Sequence, residues 1–196
     1  MVRNRRTPEM TAARAALVGL IHRYRKGLLD PFVTPVEVDR LLYFMQSAGE
    51  PLRLRYREGM YGPYAENLRH LLHAVEGHFI SGYADGGDAP DKPLELMPGA
   101  LEDATAALGR FPETRKRFER VASLVEGFES PFGLELLSTV HWVLDHHHPD
   151  GRADLIARTY GWNDRKKQFS PRQIELAANV LGGNGWAECA AAEPLR

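Results

Sequence analysis

The chain has 196 residues, 43% of them hydrophobic and 26% charged, which suits a globular domain with one sizeable core. No apolar run approaches the roughly 20 residues of a membrane helix. The basic start Met1–Arg6 leads into a polar stretch instead of a signal-peptide core, and the single Cys189 excludes an internal disulfide, so the cytoplasm is the expected compartment.

Taken in chain order, Ala13, Ala16, Leu17, Leu20 and Tyr24 share one face of a first helix. Thr34-Pro35-Val36-Glu37 reads as a capping box with proline at the first helical position, and Val38, Leu41, Leu42 and Met45 follow at helical spacing. Gly49 is a natural stop. The period then changes. Leu52, Leu54 and Tyr56 alternate with Arg53, Arg55 and Arg57, the pattern of a half-buried strand that ends at the Tyr61-Gly62-Pro63-Tyr64 turn. Tyr64, Leu68, Leu71, Leu72 and Val75 form a third helical stripe. Short strands are expected at 78–83 and 94–96, on either side of a polar loop, 84–92.

The second half reads as helices only. Phe118, Val121, Ala122, Val125 and Phe128 make one stripe, and Ser130-Pro131 opens another through Leu134, Leu137, Val140, His141 and Leu144. Asp150 is a candidate cap for a short helix to about Tyr160, and Ser170-Pro171-Arg172-Gln173 is a second capping box. The expected fold is mainly α (α+β): a helical domain with a small β wing, winged-helix-like in its first half and all-helical in its second. It forms one domain over residues 1–188, with a disordered tail at 189–196.

Charge is segregated although the net charge is −1. From Met1 to Leu29, seven Arg/Lys face the single Glu9. Seven acids, among them Asp85, Asp88 and Asp91, lie between Glu76 and Asp103 against Lys92 alone. From Val121 to Gly151 there are five acids, including Glu126 and Glu129, and no Lys or Arg. Such runs serve as solvated faces or as a surface for a basic partner.

No catalytic constellation emerges. In Asp145-His146-His147-His148 neighbouring side chains point about 100° apart on a helix, and only His141 and Asp145 share a face, too few ligands for a metal site. Gly182-Gly183-Asn184-Gly185 follows a helix where a phosphate loop would precede one, and Cys189 lies in the expected tail, where no base could be held against it in fixed geometry. The expectation is therefore a chain without enzyme activity, cofactor or metal. Tyr61, Tyr64 and Tyr83 lie in or beside Gly/Pro turns, where aromatic residues either cap a core or anchor a partner. Arg53, Arg55 and Arg57 with nearby tyrosines admit a nucleic-acid reading, but the acidic stretches oppose it.

Leu41-Leu42-Tyr43-Phe44-Met45-Gln46, Gly49-Glu50-Pro51-Leu52-Arg53, Tyr61-Gly62-Pro63-Tyr64-Ala65-Glu66-Asn67-Leu68-Arg69-His70, Ser81-Gly82-Tyr83 and Gly86-Gly87-Asp88 together resemble the C-terminal region of DarG antitoxins. These are the partners of DarT toxins in the bacterial DarT/DarG pair. The likeness continues through Phe128-Glu129-Ser130-Pro131-Phe132-Gly133-Leu134-Glu135 and Thr139-Val140-His141-Trp142 to Gly185-Trp186, and so covers most of the chain. Tyr-Gly-Pro-Tyr turns also occur in Panacea-type antitoxin domains, which implies a Panacea-like alternative for the first half. In the DarG family an N-terminal macrodomain removes ADP-ribose from DNA and the C-terminal region binds the toxin. This sequence carries no macrodomain signature, so the resemblance implies the toxin-binding half. The implied function is to bind a DarT-like toxin one to one and to occlude its single-stranded-DNA site by DNA mimicry, without direct nucleic-acid or membrane contact. Tyr61, Tyr64, Tyr83, Asp85, Asp88, Asp91, Glu126 and Glu129 are the candidate contacts. The alternative is a winged-helix-like transcriptional regulator that binds DNA through the Arg53–Arg57 strand.

Overall fold

The computed structural model of the chain describes residues 8–27, 32–83 and 92–187. The expected class is observed: the chain is mainly helical with a small β wing. Eight α-helices are found among the described residues: α1 (Ala12–Gly27), α2 (Pro35–Ser47), α3 (Leu68–Val75), α4 (Ala100–Arg110), α5 (Pro112–Val125), α6 (Pro131–Trp142), α7 (Gly151–Trp162) and α8 (Pro171–Gly183). A π-helical turn, Val143–His147, extends α6, and a 3-10 turn, Asp164–Gln168, joins α7 to α8.

Helix starts follow local chemistry. The Glu37 carboxylate accepts the Thr34 backbone N–H at 2.8 Å ahead of α2. At α8, Ser170 Oγ accepts from Gln173 N at 3.3 Å while Gln173 Oε1 accepts from Ser170 N at 2.8 Å, the reciprocal pair expected of a capping box. Helix α1 packs on α4 and α5, and α2 packs on α6, which also carries α8. Their apolar faces meet in one contiguous cluster that includes Leu17, Ile21, Val38, Leu41, Phe44 and Val140.

Two antiparallel ribbons complete the fold. In the first, β1 (Tyr56–Gly59) pairs with β2 (Gly62–Ala65) in the register Tyr56↔Ala65, Arg57↔Tyr64, Glu58↔Pro63 and Gly59↔Gly62, leaving Met60-Tyr61 as a two-residue turn. Gly62 has φ +120°, and a Cβ there would lie 3.2 Å from the Ser138 hydroxyl on α6, so this turn needs glycine for both backbone and space. In the second, β3 (Ile80–Ser81) pairs with β4 (Glu95–Leu96), and a single bridge links Val33 to Leu94.

The expected strand at 52–56 lies further along the chain. Arg53 takes a left-handed φ of 59°, and the backbone of this segment is satisfied by side chains instead of a ladder. Gln46 donates to Leu54 O and accepts from Leu54 N, both at 2.8 Å. Asn67 accepts from Arg55 N at 2.9 Å and donates to Arg53 O at 3.0 Å. The alternation still sorts the side chains, since Leu54 is buried while Arg53, Arg55 and Arg57 are exposed. Helix α4 has no counterpart in the sequence reading, because its packed face is mostly alanine: Ala100, Ala104 and Ala107.

A candidate binding face around a pinned hairpin

The Met60-Tyr61 turn is held from below by side chains distant in sequence. Trp162 Nε1 donates to Gly59 O at 2.8 Å, and Lys166 Nζ and Asn163 Nδ2 donate to Met60 O at 3.1 and 3.2 Å. Arg40 Nη2 donates to Tyr61 O at 2.7 Å. Three consecutive carbonyls of a surface turn are thus bonded by four side chains.

Two of these donors, Lys166 and Arg40, share a buried anion. Glu135 accepts from Lys166 Nζ at 2.7 Å, Arg165 Nη2 at 3.0 Å and Gln168 Nε2 at 3.2 Å, and Arg40 Nη2 lies 3.7 Å away. Burial lowers the Lys166 pKa to about 8, although its bond to Glu135 opposes the shift, and burial likewise lowers that of Arg40. The polar cluster fixes the turn from which Met60, Tyr61 and Tyr64 project, 66%, 40% and 44% exposed, with Phe132 exposed beside them. An arginine covers each tyrosine ring: Arg165 lies 4.7 Å from the Tyr61 centroid and Arg57 5.9 Å from that of Tyr64.

Between the start of α2, the hairpin and α3 lies a cleft of about 470 Å³, lined in part by Tyr61, Tyr64, Tyr83, Asp39, Arg40 and Arg69. The three candidate tyrosines therefore converge on one site. Tyr83 does so as a wall, not as an exposed anchor, because it is 5% exposed with its ring edge-on to His73 at 4.8 Å. On the floor, the Asp39 carboxyl is pushed up to about 7 by burial, against the bond from Ala65 N, the nearby Tyr56 hydroxyl and the charge of Arg40.

The other candidates are placed differently. Glu126 and Glu129 line a separate groove of about 380 Å³, where Arg23 and Lys26 face them. Glu129 Oε2 also accepts from Gly127 N at 2.6 Å, which gives it a local structural task. Asp85, Asp88 and Asp91 lie outside the described residues. The histidine run splays as helix geometry requires: His141 is buried, His146 stacks on Trp142 with centroids 3.7 Å apart, and His147 Nε2 lies 2.8 Å from Glu58 Oε1. Among the described residues no group of three or more His, Cys, Asp or Glu side chains is arranged to hold a metal, and no helix is long and apolar enough to cross a membrane.

Sequence reading missed Asp39, Arg40, Glu135, Trp162 and Lys166. Glu135 was visible in one respect, as a lone charge within Leu134-Glu135-Leu136-Leu137, and Asp39-Arg40 likewise interrupt an apolar stripe.

No family model matches the chain. Against curated proteins it is 39% identical over 174 residues to a DNA ADP-ribosyl glycohydrolase of Thermus aquaticus, covering 89% of this chain and 47% of that protein. The chain is related to DNA ADP-ribosyl glycohydrolases. Proteins of that name from Mycobacterium bovis and Mycobacterium tuberculosis are each 32% identical over 185 residues, covering 88% of this chain and 53% of theirs. The chain spans about half the length of the curated relatives it matches. They also correct the expectation of a chain without enzyme activity, since relatives 32–39% identical over nearly nine-tenths of it are named for an enzyme. A search for continuous motifs overlooks titratable groups buried by folding, and Asp39 on the floor of its cleft is one of these.

Proposed function

We propose that the chain is the toxin-binding part of a DarG-type antitoxin, and that it neutralises a cytoplasmic DarT-type single-stranded-DNA ADP-ribosyltransferase by filling the toxin's DNA site in a one-to-one complex. The observation that carries this reading is the pinned hairpin. Four side-chain donors fix a surface turn whose exposed residues are a methionine and two tyrosines, so the ordering cost of docking is met before the partner arrives. Acidic segments support the DNA-mimic part of the proposal, because carboxylates can replace phosphates in a cationic channel while tyrosines replace bases.

The test combines size-exclusion chromatography of chain and toxin with an assay of toxin activity on an oligonucleotide. Wild-type chain is expected to co-elute with the toxin and stop modification, and Tyr61→Ala with Tyr64→Ala to weaken both effects at least tenfold. Lysine at Asp85, Asp88 and Asp91 is expected to slow association. Full toxin activity inside a stable complex would overturn the DNA-mimic reading.

The names of the relatives favour a second reading beside it, in which the chain takes part in removing ADP-ribose from DNA. Asp39 supports it, since a carboxyl that titrates near neutrality in a cleft has the property of a general acid or base in glycosidic hydrolysis. Release of ADP-ribose from a modified oligonucleotide by wild-type chain but not by Asp39→Asn would support this reading, and equal rates with and without the chain would remove it.

A further inference from the structure

Asp39 is 5% exposed and lines the floor of the 470 Å³ cleft. Its Oδ2 accepts the Ala65 N–H at 3.1 Å, while Oδ1 has no hydrogen-bond partner among the described residues. A buried carboxyl oxygen without a donor from its own chain is costly, and it remains an acceptor for a donor from outside.

The neighbouring cation does not supply it. Arg40 donates to Pro131 O at 3.0 Å and Tyr61 O at 2.7 Å, with Glu135 and Glu37 3.7 and 3.9 Å away, so its charge is already shared between two carboxylates. The other charged or hydroxyl-bearing groups lining the cleft are exposed Glu66 and Arg69 at the rim and the three tyrosines, while Tyr56 of β1, outside the lining, donates its hydroxyl to the Asp39 backbone carbonyl at 3.0 Å. At the rim Glu66 is paired with Arg57 at 3.6 Å.

We infer that the cleft receives a cationic side chain of the protein partner, an arginine guanidinium or a lysine ammonium, with the Asp39 carboxylate as its counter-ion and Tyr61, Tyr64 and Tyr83 as aromatic walls. The inference rests on the toxin-binding reading, in which the partner's surface is a cationic DNA channel. Two features select a cation over a neutral planar ring such as a nucleobase. Tyr61 and Tyr64 already carry guanidinium groups of this chain, so the rings are suited to that charge. A neutral N–H donor would satisfy the hydrogen bond but leave the buried charge uncompensated, whereas a cation satisfies both.

A proton balance follows. In the free chain burial holds the Asp39 carboxyl up at about 7, so near neutrality it is partly protonated. An entering cation stabilises the carboxylate, and the proton leaves to solvent. Acid therefore competes with the partner: affinity holds above about pH 7 and falls by up to about tenfold per pH unit below it, one proton being released per complex.

Two measurements test this. In the first, titration calorimetry of the full chain with the toxin is run at about pH 6, 7 and 8 in buffers of different ionisation enthalpy, for wild type and Asp39→Asn. The expected result is an acid-weakened affinity and proton release for wild type that exceed those of Asp39→Asn, whose binding is weaker at the alkaline end. Equal pH slopes and equal proton release in both proteins would overturn the inference. In the second, methylguanidinium is added to wild-type chain alone while the Asp39 carboxyl ¹³C resonance is followed. Its apparent pKa is expected to fall, and an unmoved resonance, or one moved by an oligothymidylate but not by methylguanidinium, counts against a cation site. Failure of the wild-type chain to bind the toxin would sink the docking reading instead, leaving the second measurement to judge the cleft.

Discussion

His141 shows what burial does to a single titratable side chain. It is 3% exposed and bonded at both nitrogens, to the Tyr43 hydroxyl at 2.7 Å and the Trp186 carbonyl at 3.1 Å. A carbonyl only accepts, so Nε2 carries the hydrogen and Nδ1 accepts from Tyr43. Burial lowers its pKa, and a histidine whose folded pKa is depressed resists protonation in the native state. Its contribution is fully present above about pH 6.5 and declines as pH falls towards the folded value. Tyr43→Phe leaves Nδ1 without its donor in the core and is expected to cost about 1–3 kcal/mol in urea unfolding. Asp39 carries the opposite sign. Its folded pKa is raised, so its stabilising share is present below about pH 4 and lost as pH rises through about 7. Asp39→Asn keeps an acceptor for the Ala65 N–H and is expected to be more stable than wild type near pH 8, by on the order of a few kcal/mol, with the advantage gone near pH 4. A melting series across that range checks it, and an advantage that persists in acid would contradict the assignment. Neither role was legible in the sequence. His141 reads as one member of a helical stripe with a possible ligand partner in Asp145, and nothing local says that it meets Tyr43, 98 positions away.

At the scale of elements, the β1–β2 ribbon has little to hold it by itself, since two four-residue strands joined by a tight turn are marginal in water. Its rigidity is borrowed from α2, α6 and the α7–α8 connection. Lys166 is the most exacting of these ties, being fully buried and bonded both to Glu135 and to Met60 O. Lys166→Met preserves volume but strips Glu135 of its closest donor, and removing one partner of a buried pair costs about 3–5 kcal/mol. The expected signature is local as well as global: amide exchange at Gly59–Gly62 should accelerate more than exchange in α4, which packs on α1 and α5. Equal acceleration in both would mean that the latch serves the whole fold and does not specifically position the turn. Sequence pattern located this ribbon only approximately. The period-two alternation sorts Leu54 from its arginine neighbours, but it does not reveal that Gln46 and Asn67 replace the ladder there. The capping boxes at Thr34 and Ser170 were legible because their chemistry is complete within four residues. Helix α4 was not, because an alanine face gives a weak apolar signal and Gly99 supplies no capping side chain.

For the whole molecule, the helical layout could be read from periodicity while the candidate site could not, for a geometric reason. The hairpin, its latch and the cleft draw on residues between 35 and 168, and only folding puts Lys166 beside Met60 across 106 positions. Of the site, the tyrosines were legible as turn aromatics, but not that one of them closes a wall. Charge is the property of the whole that bears most directly on partner capture. A net charge of −1 gives no long-range pull, yet acids and bases are segregated along the chain, so the field is concentrated in patches. If the proposed complex forms through such patches, association should depend on ionic strength and dissociation should not, because screening acts on approaching surfaces over roughly 10 Å and much less on contacts already desolvated. Raising salt from about 0.05 to about 0.5 M is then expected to slow association with the toxin several-fold and to leave dissociation within about twofold in stopped-flow or surface-based kinetics. Glu126→Lys, an exposed reversal away from the hairpin, should reproduce part of the kinetic effect at low salt without altering dissociation. Association indifferent to salt would instead assign recognition to the apolar side chains alone, with Met60, Tyr61 and Tyr64 as its centre and the acidic stretches as solvated surface.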